Sequence, residues 1–470
     1  MRFSIERDAL TEAVAWVARA LPTRPVLPIL SGMLLTATAS ELILACFDYE
    51  ISARIRVAAD VAEPGTVLVP GRLLAEITRS LPAFTVYVDD KGDDVTLTCG
   101  AAAFTLVTLP VGEYPQLPDL PVLAGTVDGG VLAAAISQVV PAASRDDTLP
   151  ILTGVNIELD GGTITLAATD RYRLAMRELA WDPVQPDLVA TILTPAKTLA
   201  DAGRMMAPGT PVQVLLRHHV GGDEHAADAM IGFESGGRRL TTRLIAGEFI
   251  KYKSRFPGEF GCCGDMPAAP LAEAVRRVAL VAERGTSVRL SFAAGMVTIE
   301  AGTEGQARAR ETVPAQFEGN EHAIAFSPHY LLDGLAAALT AATIPAQEGP
   351  VKEGQAEGGQ TSAEGGQTGE EGQDARIRLQ FSSPTKPAVI TGVMRKQATA
   401  TPDFRYLVVP LRALTSALEL ARIRLPGSRR PGCPWPRCRL IRLACLGTFR
   451  YGWPHMPSSA ATPRSRTAAA

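Results

Sequence analysis

The sequence predicts an α+β protein made of three copies of one domain, and two observations predict it. The first is a repeat. Leu27-Pro28-Ile29-Leu30-Ser31-Gly32, Leu44-Ala45, Asp48 and Ala53 return as Leu149-Pro150-Ile151-Leu152-Thr153-Gly154, Leu166-Ala167, Asp170 and Ala175, each pair 122 residues apart with no gap. A period of that length marks duplicated domains, since solenoid repeats run about 20 to 50 residues. The second is a set of helices opened by Pro70, Pro195 and Pro328, 125 and 133 residues apart. Proline suits a first helical turn because its missing N–H has no intrahelical partner there. The 470 residues match a prior of about three domains.

Each unit reads as an amphipathic helix, a few strands, the proline-opened helix and further strands. In the first unit a helix over 5–21 carries Leu10, Val14, Val17 and Leu21 at helical spacing, and the second helix runs from Pro70 to Leu81. The second unit repeats this at 127–144 and 195–206, and the third at 266–284 and 328–339. Strand-like alternation appears in Val95-Thr96-Leu97-Thr98-Cys99, Val288-Arg289-Leu290-Ser291-Phe292 and Val297-Thr298-Ile299-Glu300. Proline-rich crossings at 113–118 and 248–257 end the first two units. The expected domains are therefore 1–122, 123–250 and 251–412. Residues 341–375, rich in Gly, Glu and Gln, have too little apolar surface to order and read as a disordered insertion.

The net charge of −3 conceals an uneven distribution. Residues 413–470 hold ten Arg and one Glu, leaving 1–412 at −12. An acidic body argues against a grip on nucleic acid through bulk positive charge. The tail 413–470 opens with a possible short helix over 414–423 and then loses all periodicity; it reads either as a basic arm or, preferably, as unstructured sequence. No signal peptide opens the chain and no apolar run reaches a membrane span, so a cytoplasmic protein is expected.

Catalytic motifs are missing. There is no phosphate-cradling G-x-x-x-x-G-K-[ST], H-E-x-x-H, G-x-S-x-G or strand-linked G-x-G-x-x-G. Asp146 and Asp147 are neighbours in an extended stretch and would point to opposite faces. His218 and His219 sit beside Gly221-Gly222 and read as surface. Cys46 and Cys99 read as small core residues, Cys262-Cys263 as a solvated loop pair. Cys433, Cys438, Cys445 and His455 do not fit zinc-knuckle spacing, so neither metal nor cofactor is expected. What remains is a recurrence of paired cations on helices: Arg7 and Arg19, Arg72 and Arg79, Lys197 and Arg204, Arg276 and Arg277. Arg72 and Arg79 are two turns apart on one face. Such faces suit contact with the backbone of a polyanion, without base readout.

These residues resemble the bacterial DNA polymerase III β subunits, the sliding clamps, over 1–412 apart from the insertion. The resemblance rests on Met1-Arg2-Phe3-Ser4-Ile5-Glu6-Arg7, Arg24-Pro25-Val26-Leu27-Pro28-Ile29-Leu30 and Arg145-Asp146-Asp147-Thr148-Leu149-Pro150. It continues in Ala168-Thr169-Asp170-Arg171-Tyr172-Arg173-Leu174-Ala175 and in Tyr406-Leu407-Val408-Val409-Pro410-Leu411-Arg412, which is similar to the family's C-terminal ending; the Gly- and Ala-rich style resembles actinobacterial members. The resemblance implies a head-to-tail homodimer closed around duplex DNA, with helices lining the hole. It implies that Arg24, Arg72, Arg79 and Lys197 face DNA, and that Phe104 and Leu106 meet Leu280 and Val281 of a second copy. It further implies an apolar groove that takes linear peptides from the polymerase, the clamp loader and repair factors. The matching groove positions are Leu152, Thr169, Arg171, Tyr172, Arg173, Leu174, Ile250, Ser254, Arg255, Ser327, Tyr330, Val409, Pro410, Leu411 and Arg412.

Departures cluster at that groove. The family has proline where this chain has Ile250 and an apolar residue where it has Arg255. Both point to a variant clamp that binds a clamp-targeting cyclic peptide antibiotic weakly; the bland reading is a housekeeping clamp with local drift. The readings from other classes are a monomeric DNA-binding or repair enzyme, which would need a catalytic constellation not seen here, and a regulatory DNA-binding protein acting through the arginine tail.

Overall fold

The computed structural model describes residues 1–217, 229–282, 286–302, 307–320, 322–343, 375–393 and 403–411. The chain divides into two units, Met1–Leu414 and Thr415–Ala470. The expectations for the tail, for His218 and His219, and for most of the 341–375 insertion lie outside the described residues.

Three repeats of strand, helix, five strands, helix, three strands make up the first unit. The first is β1 (Arg2–Ile5), α1 (Arg7–Ala18), β2 (Gly32–Ala37), β3 (Glu41–Phe47), β4 (Ile51–Ala58), β5 (Asp60–Glu63), β6 (Gly65–Pro70), α2 (Gly71–Ser80), β7 (Val86–Asp90), β8 (Asp94–Cys99) and β9 (Ala102–Val107). The second is β10 (Val122–Asp128), α3 (Gly129–Val139), β11 (Gly154–Asp160), β12 (Thr163–Thr169), β13 (Arg173–Ala180), β14 (Asp182–Pro183), β15 (Val189–Pro195), α4 (Ala196–Gly203), β16 (Pro211–Arg217), β17 (Met230–Ser235) and β18 (Arg238–Arg243). The third is β19 (Cys262–Pro267), α5 (Ala268–Ala279), β20 (Val288–Ala293), β21 (Met296–Gly302), β22 (Arg308–Pro314), β23 (Gln316–Glu318), β24 (Ala323–Phe326), α6 (Pro328–Thr343), β25 (Arg376–Phe381), β26 (Ala388–Val393) and β27 (Phe404–Val408).

Local chemistry sets the element boundaries. Leu10, Ala13, Val14 and Val17 form the buried stripe of α1, and the helix ends at Ala18 rather than Leu21 because the next turns close with hydrogen bonds between residues three apart, Ala20 N to Val17 O and Leu21 N to Ala18 O. Asp128 caps α3 by accepting from Val131 N at 3.0 Å. Cys262-Cys263 is not a loop pair. Both lie in β19, paired on both sides by β23 and β25, and Cys262, Gly264 and Met266 alternate inward. The helix expected over 266–284 accordingly starts later, at Ala268.

Two nine-stranded sheets run across repeat boundaries. The last strand of the second repeat, β18, is antiparallel to β4 of the first, and the last strand of the third, β27, is antiparallel to β13 of the second. We call these the first and second seams. The corresponding strand of the first repeat, β9, ends its sheet unpaired on one side, as does β22 in the third repeat. On β9, Phe104 is half-buried, but Leu106 is 1% exposed and belongs to the core of its own repeat, so it is not available to a second copy as expected. Leu280, just past α5, is 84% exposed.

Candidate partner groove and nucleic-acid interface

The second seam is organised by one turn. Asp170 Oδ1 accepts from Tyr172 N and Arg173 N, each at 3.0 Å, which folds the chain sharply enough to place Arg171 at φ 79°. Thr169 Oγ1 adds a bond to the Arg173 carbonyl, and its side chain is buried. Arg173 is buried too, at 6% exposure, so it joins repeats rather than lining a groove. Its Nε bonds Asp170 Oδ2 at 3.0 Å, and its Nη1 bonds the Asp333 carboxylate and the Tyr406 hydroxyl. The guanidinium also lies 4.6 Å from the Tyr330 ring centroid. Burial works against its charge, but Tyr406 and Asp333 more than offset this and hold it above its ordinary range. Gly334 makes room: a Cβ there would come within 2.6 Å of the Tyr406 ring.

The opposite face of the same strands is apolar. Ala167, Leu174, Met176, Tyr252, Val389 and Leu407 form a buried cluster separate from the main core, flanked by Phe249, Phe256, Phe260 and Val409. The segment carrying Ile250, Ser254 and Arg255 runs along its edge, with all three exposed. Lys253 holds this segment to β11 through Glu158 at 2.7 Å, and Arg405 sits 5.5 Å over the Phe256 ring. At the adjoining corner Tyr172 stacks on Tyr330 with centroids 6.1 Å apart. Ser327 Oγ lies 2.8 Å from His329 Nδ1. Val409 N donates to Tyr172 O and Leu411 N to Ala325 O, which fixes the strand end carrying Pro410. Leu152 is half-buried in the short helix Pro150–Thr153. Arg412 lies outside the described residues.

Thus Leu174 and Val409 belong to the apolar cluster, Tyr172 and Tyr330 stack at the corner beside it next to Arg173, Arg171 is exposed, and Thr169 and Arg173 are buried. Sequence reasoning missed Met176, Tyr252, Val389, Leu407, Asp333 and Tyr406. The alternation of Leu174 with Met176, and of Leu407 with Val409, was the available signal.

Among the cations, Arg24, Arg79 and Lys197 are exposed. Arg72 is partly engaged, donating to the Leu21 and Pro22 carbonyls at 3.5 and 3.0 Å. Hydrogen bonds from Thr148 hold the Asp146 carboxyl below the usual carboxylate range. Among the described residues no group of three His, Cys, Asp or Glu is placed to hold a metal ion, and no helix is long and apolar enough to cross a membrane.

Comparison with known proteins agrees across the chain. Residues 1–118, 126–251 and 253–344 match the N-terminal, central and C-terminal domains of the DNA polymerase III beta subunit. A beta sliding clamp of Streptomyces coelicolor is 47% identical over 412 residues, covering 88% of this chain and 99% of the relative. A beta sliding clamp homolog, GriR, of Streptomyces muensis is 39% identical over 413 residues, with the same coverage. In structure the chain resembles the Bacillus subtilis sliding clamp in fold (TM-score 0.72, 24% identity, 88% of this chain and 99% of that one). It also resembles a Pseudomonas aeruginosa clamp bound to griselimycin (TM-score 0.71, 26% identity, 88% and 100%). The three repeats, the seams and the groove therefore belong to a member of the DNA polymerase III beta-subunit family, a sliding clamp.

Proposed function

We propose that two copies close head to tail into a ring around duplex DNA and tether the replicative polymerase, the clamp loader and repair factors through the groove at the second seam. The observation that carries this reading is the pattern of strand completion. At the first seam Leu240 lies opposite Ala53, and at the second Tyr406 lies opposite Ala175. The strand β9 follows β8 as β18 follows β17, and β22 follows β21 as β4 follows β3. Carrying the seam register over sets Phe104 opposite Ala309 of a second copy, the same large-against-alanine pairing, and Ala103 opposite Arg310. Repeating this contact at both ends of two chains closes a ring with twofold symmetry. Leu280 and Val281 would extend that contact.

Arg24, Arg72, Arg79 and Lys197 would face phosphates, with topological linkage in place of tight binding. The domains in this reading are 1–122, 123–250 and 251–412, and the ring works in the cytoplasm as a processivity factor without catalysis of its own. The groove is walled by Leu152, Arg171, Tyr172, Leu174, Ile250, Ser254, Arg255, Ser327, Tyr330, Val409, Pro410 and Leu411. Ring closure is tested by oxidising an Ala103→Cys, Arg310→Cys variant. Opposed strand residues have Cβ atoms about 5 Å apart, so a covalent dimer is expected; a protein that sediments as a monomer and does not cross-link would overturn the ring.

We further propose that the groove binds griselimycin-like cyclic peptides weakly. Ile250 and Arg255, exposed at its edge, motivate this reading, and the likeness to GriR and to a griselimycin-bound clamp supports it. Restoring Ile250→Pro with Arg255→Leu should tighten inhibitor binding at least about tenfold; unchanged affinity returns the chain to an ordinary clamp.

A further inference from the structure

The inner face of the first seam holds a cavity of about 210 Å³ between α1 and α4. It occupies the place that Arg173 and Tyr406 fill at the second seam, because their counterparts in the strand pairing are Ile51 and Leu240, both of which line it. Trp16, Leu21 and Ala53 complete an apolar floor. The walls carry charge of both signs, and the signs are not equally engaged. Asp48 accepts from Glu50 N and Ile51 N, and Asp201 is paired with Arg204. Arg19, Arg24 and Lys197 are exposed and, among the described residues, their side chains make no ion pair or hydrogen bond. An apolar slot beneath three unengaged cations selects a compact molecule with a flat apolar body and more than one negative charge. The volume is below the roughly 300–1,000 Å³ of drug-sized pockets, so the body is a single ring system.

We propose that this cavity is a nucleotide site, taking one nucleoside monophosphate unit with its base against Trp16 and Leu240 and its phosphate on Arg19, Arg24 and Lys197. The site is complete within one chain and does not depend on ring closure. The unit comes either free or as a nucleotide of DNA in the ring, which the experiment separates.

Calorimetric titration of the full chain with dAMP should show saturable binding, with inorganic phosphate and deoxyadenosine each at least about tenfold weaker because each meets only half the site. Leu240→Tyr, which installs the side chain found at the second seam, should weaken dAMP at least about tenfold by filling the slot. Lys197→Gln, a surface change that leaves the floor intact, should weaken dAMP and phosphate alike and leave deoxyadenosine unchanged. Repeating the titrations with the protein loaded on nicked circular DNA identifies the source: loss of both dAMP and deoxyadenosine binding assigns the site to a DNA nucleotide, and retention of deoxyadenosine binding assigns it to a free one. No saturable dAMP binding, or binding indifferent to both substitutions, overturns the proposal.

Discussion

At the first seam β18 pairs with β4, and at the second β27 pairs with β13 in the matching register. The turn leading into each is the same. Asp48 accepts from Glu50 N and Ile51 N as Asp170 accepts from Tyr172 N and Arg173 N, and Tyr49 at φ 74° matches Arg171 at φ 79°. The side chains then diverge on both faces. Outward, the first seam presents Ser52, Arg54, Arg239 and Thr241, and the second presents Leu174, Met176, Arg405 and Leu407 at the paired positions. Inward, an aliphatic pair leaves a cavity at the first, and an arginine and a tyrosine fill the space at the second. A duplicated backbone thus supplied closure twice, and a few residues made the outer face polar at one seam and apolar at the other.

Breaking the inward network should have the largest effect. Arg173→Met leaves the carboxylates of Asp170 and Asp333 without their partner; Asp333 is 40% exposed, which softens the loss to about 3 kcal/mol, the low end for a broken buried pair. Chemical denaturation measures it, and the counterpart change Ile51→Val should cost only about 1 kcal/mol. Making the outer face of the second seam like the first, by Leu174→Ser with Leu407→Thr, should weaken a polymerase-derived peptide about 100-fold, or about 2.7 kcal/mol, while the protein remains dimeric; peptide titration with sedimentation checks both. Phe104→Ala extends the comparison to the contact between copies and should weaken the dimer by about 2 kcal/mol, read as a concentration-dependent shift to monomer.

The smallest effect is a pH dependence from a buried thiol of the first repeat. Burial raises the Cys46 thiol from 9.0 to about 12, whereas its repeat counterpart is Ala168. The native state keeps this proton after the unfolded chain has lost it, so stability is unaffected below pH 9 and falls above it. The loss is about 1 kcal/mol between pH 9 and 10. Cys46→Ala should abolish that component of the melting profile.

Much of this was legible beforehand. The 122-residue offset put Asp48 and Asp170 at equivalent positions, and the prolines located the second helix of each repeat, because helix-opening chemistry is local. The burial of Arg173 was not legible, since arginine is ordinarily exposed and only Asp333 and Tyr406, 160 and 233 residues away, make its burial tolerable. Cys262 was misread for a related reason: β19 is short and contains Gly264, so its strand character comes from partners in β23 and β25. Leu106 was assigned to the contact between copies by the family resemblance alone, and its burial depends on the packing of the whole repeat.

One strand serves both faces of the second seam. Leu407 packs in the apolar cluster, and Tyr406 beside it points to Arg173 and the carbonyl of Tyr330. A peptide bound at the proposed groove would therefore hold down the strand that joins two domains of the same chain. Binding and domain closure are then linked quantities: each tenfold excess of peptide over its dissociation constant adds about 1.4 kcal/mol to the stability of that joint. A clamp occupied at that proposed groove would then be a stiffer object than an idle one.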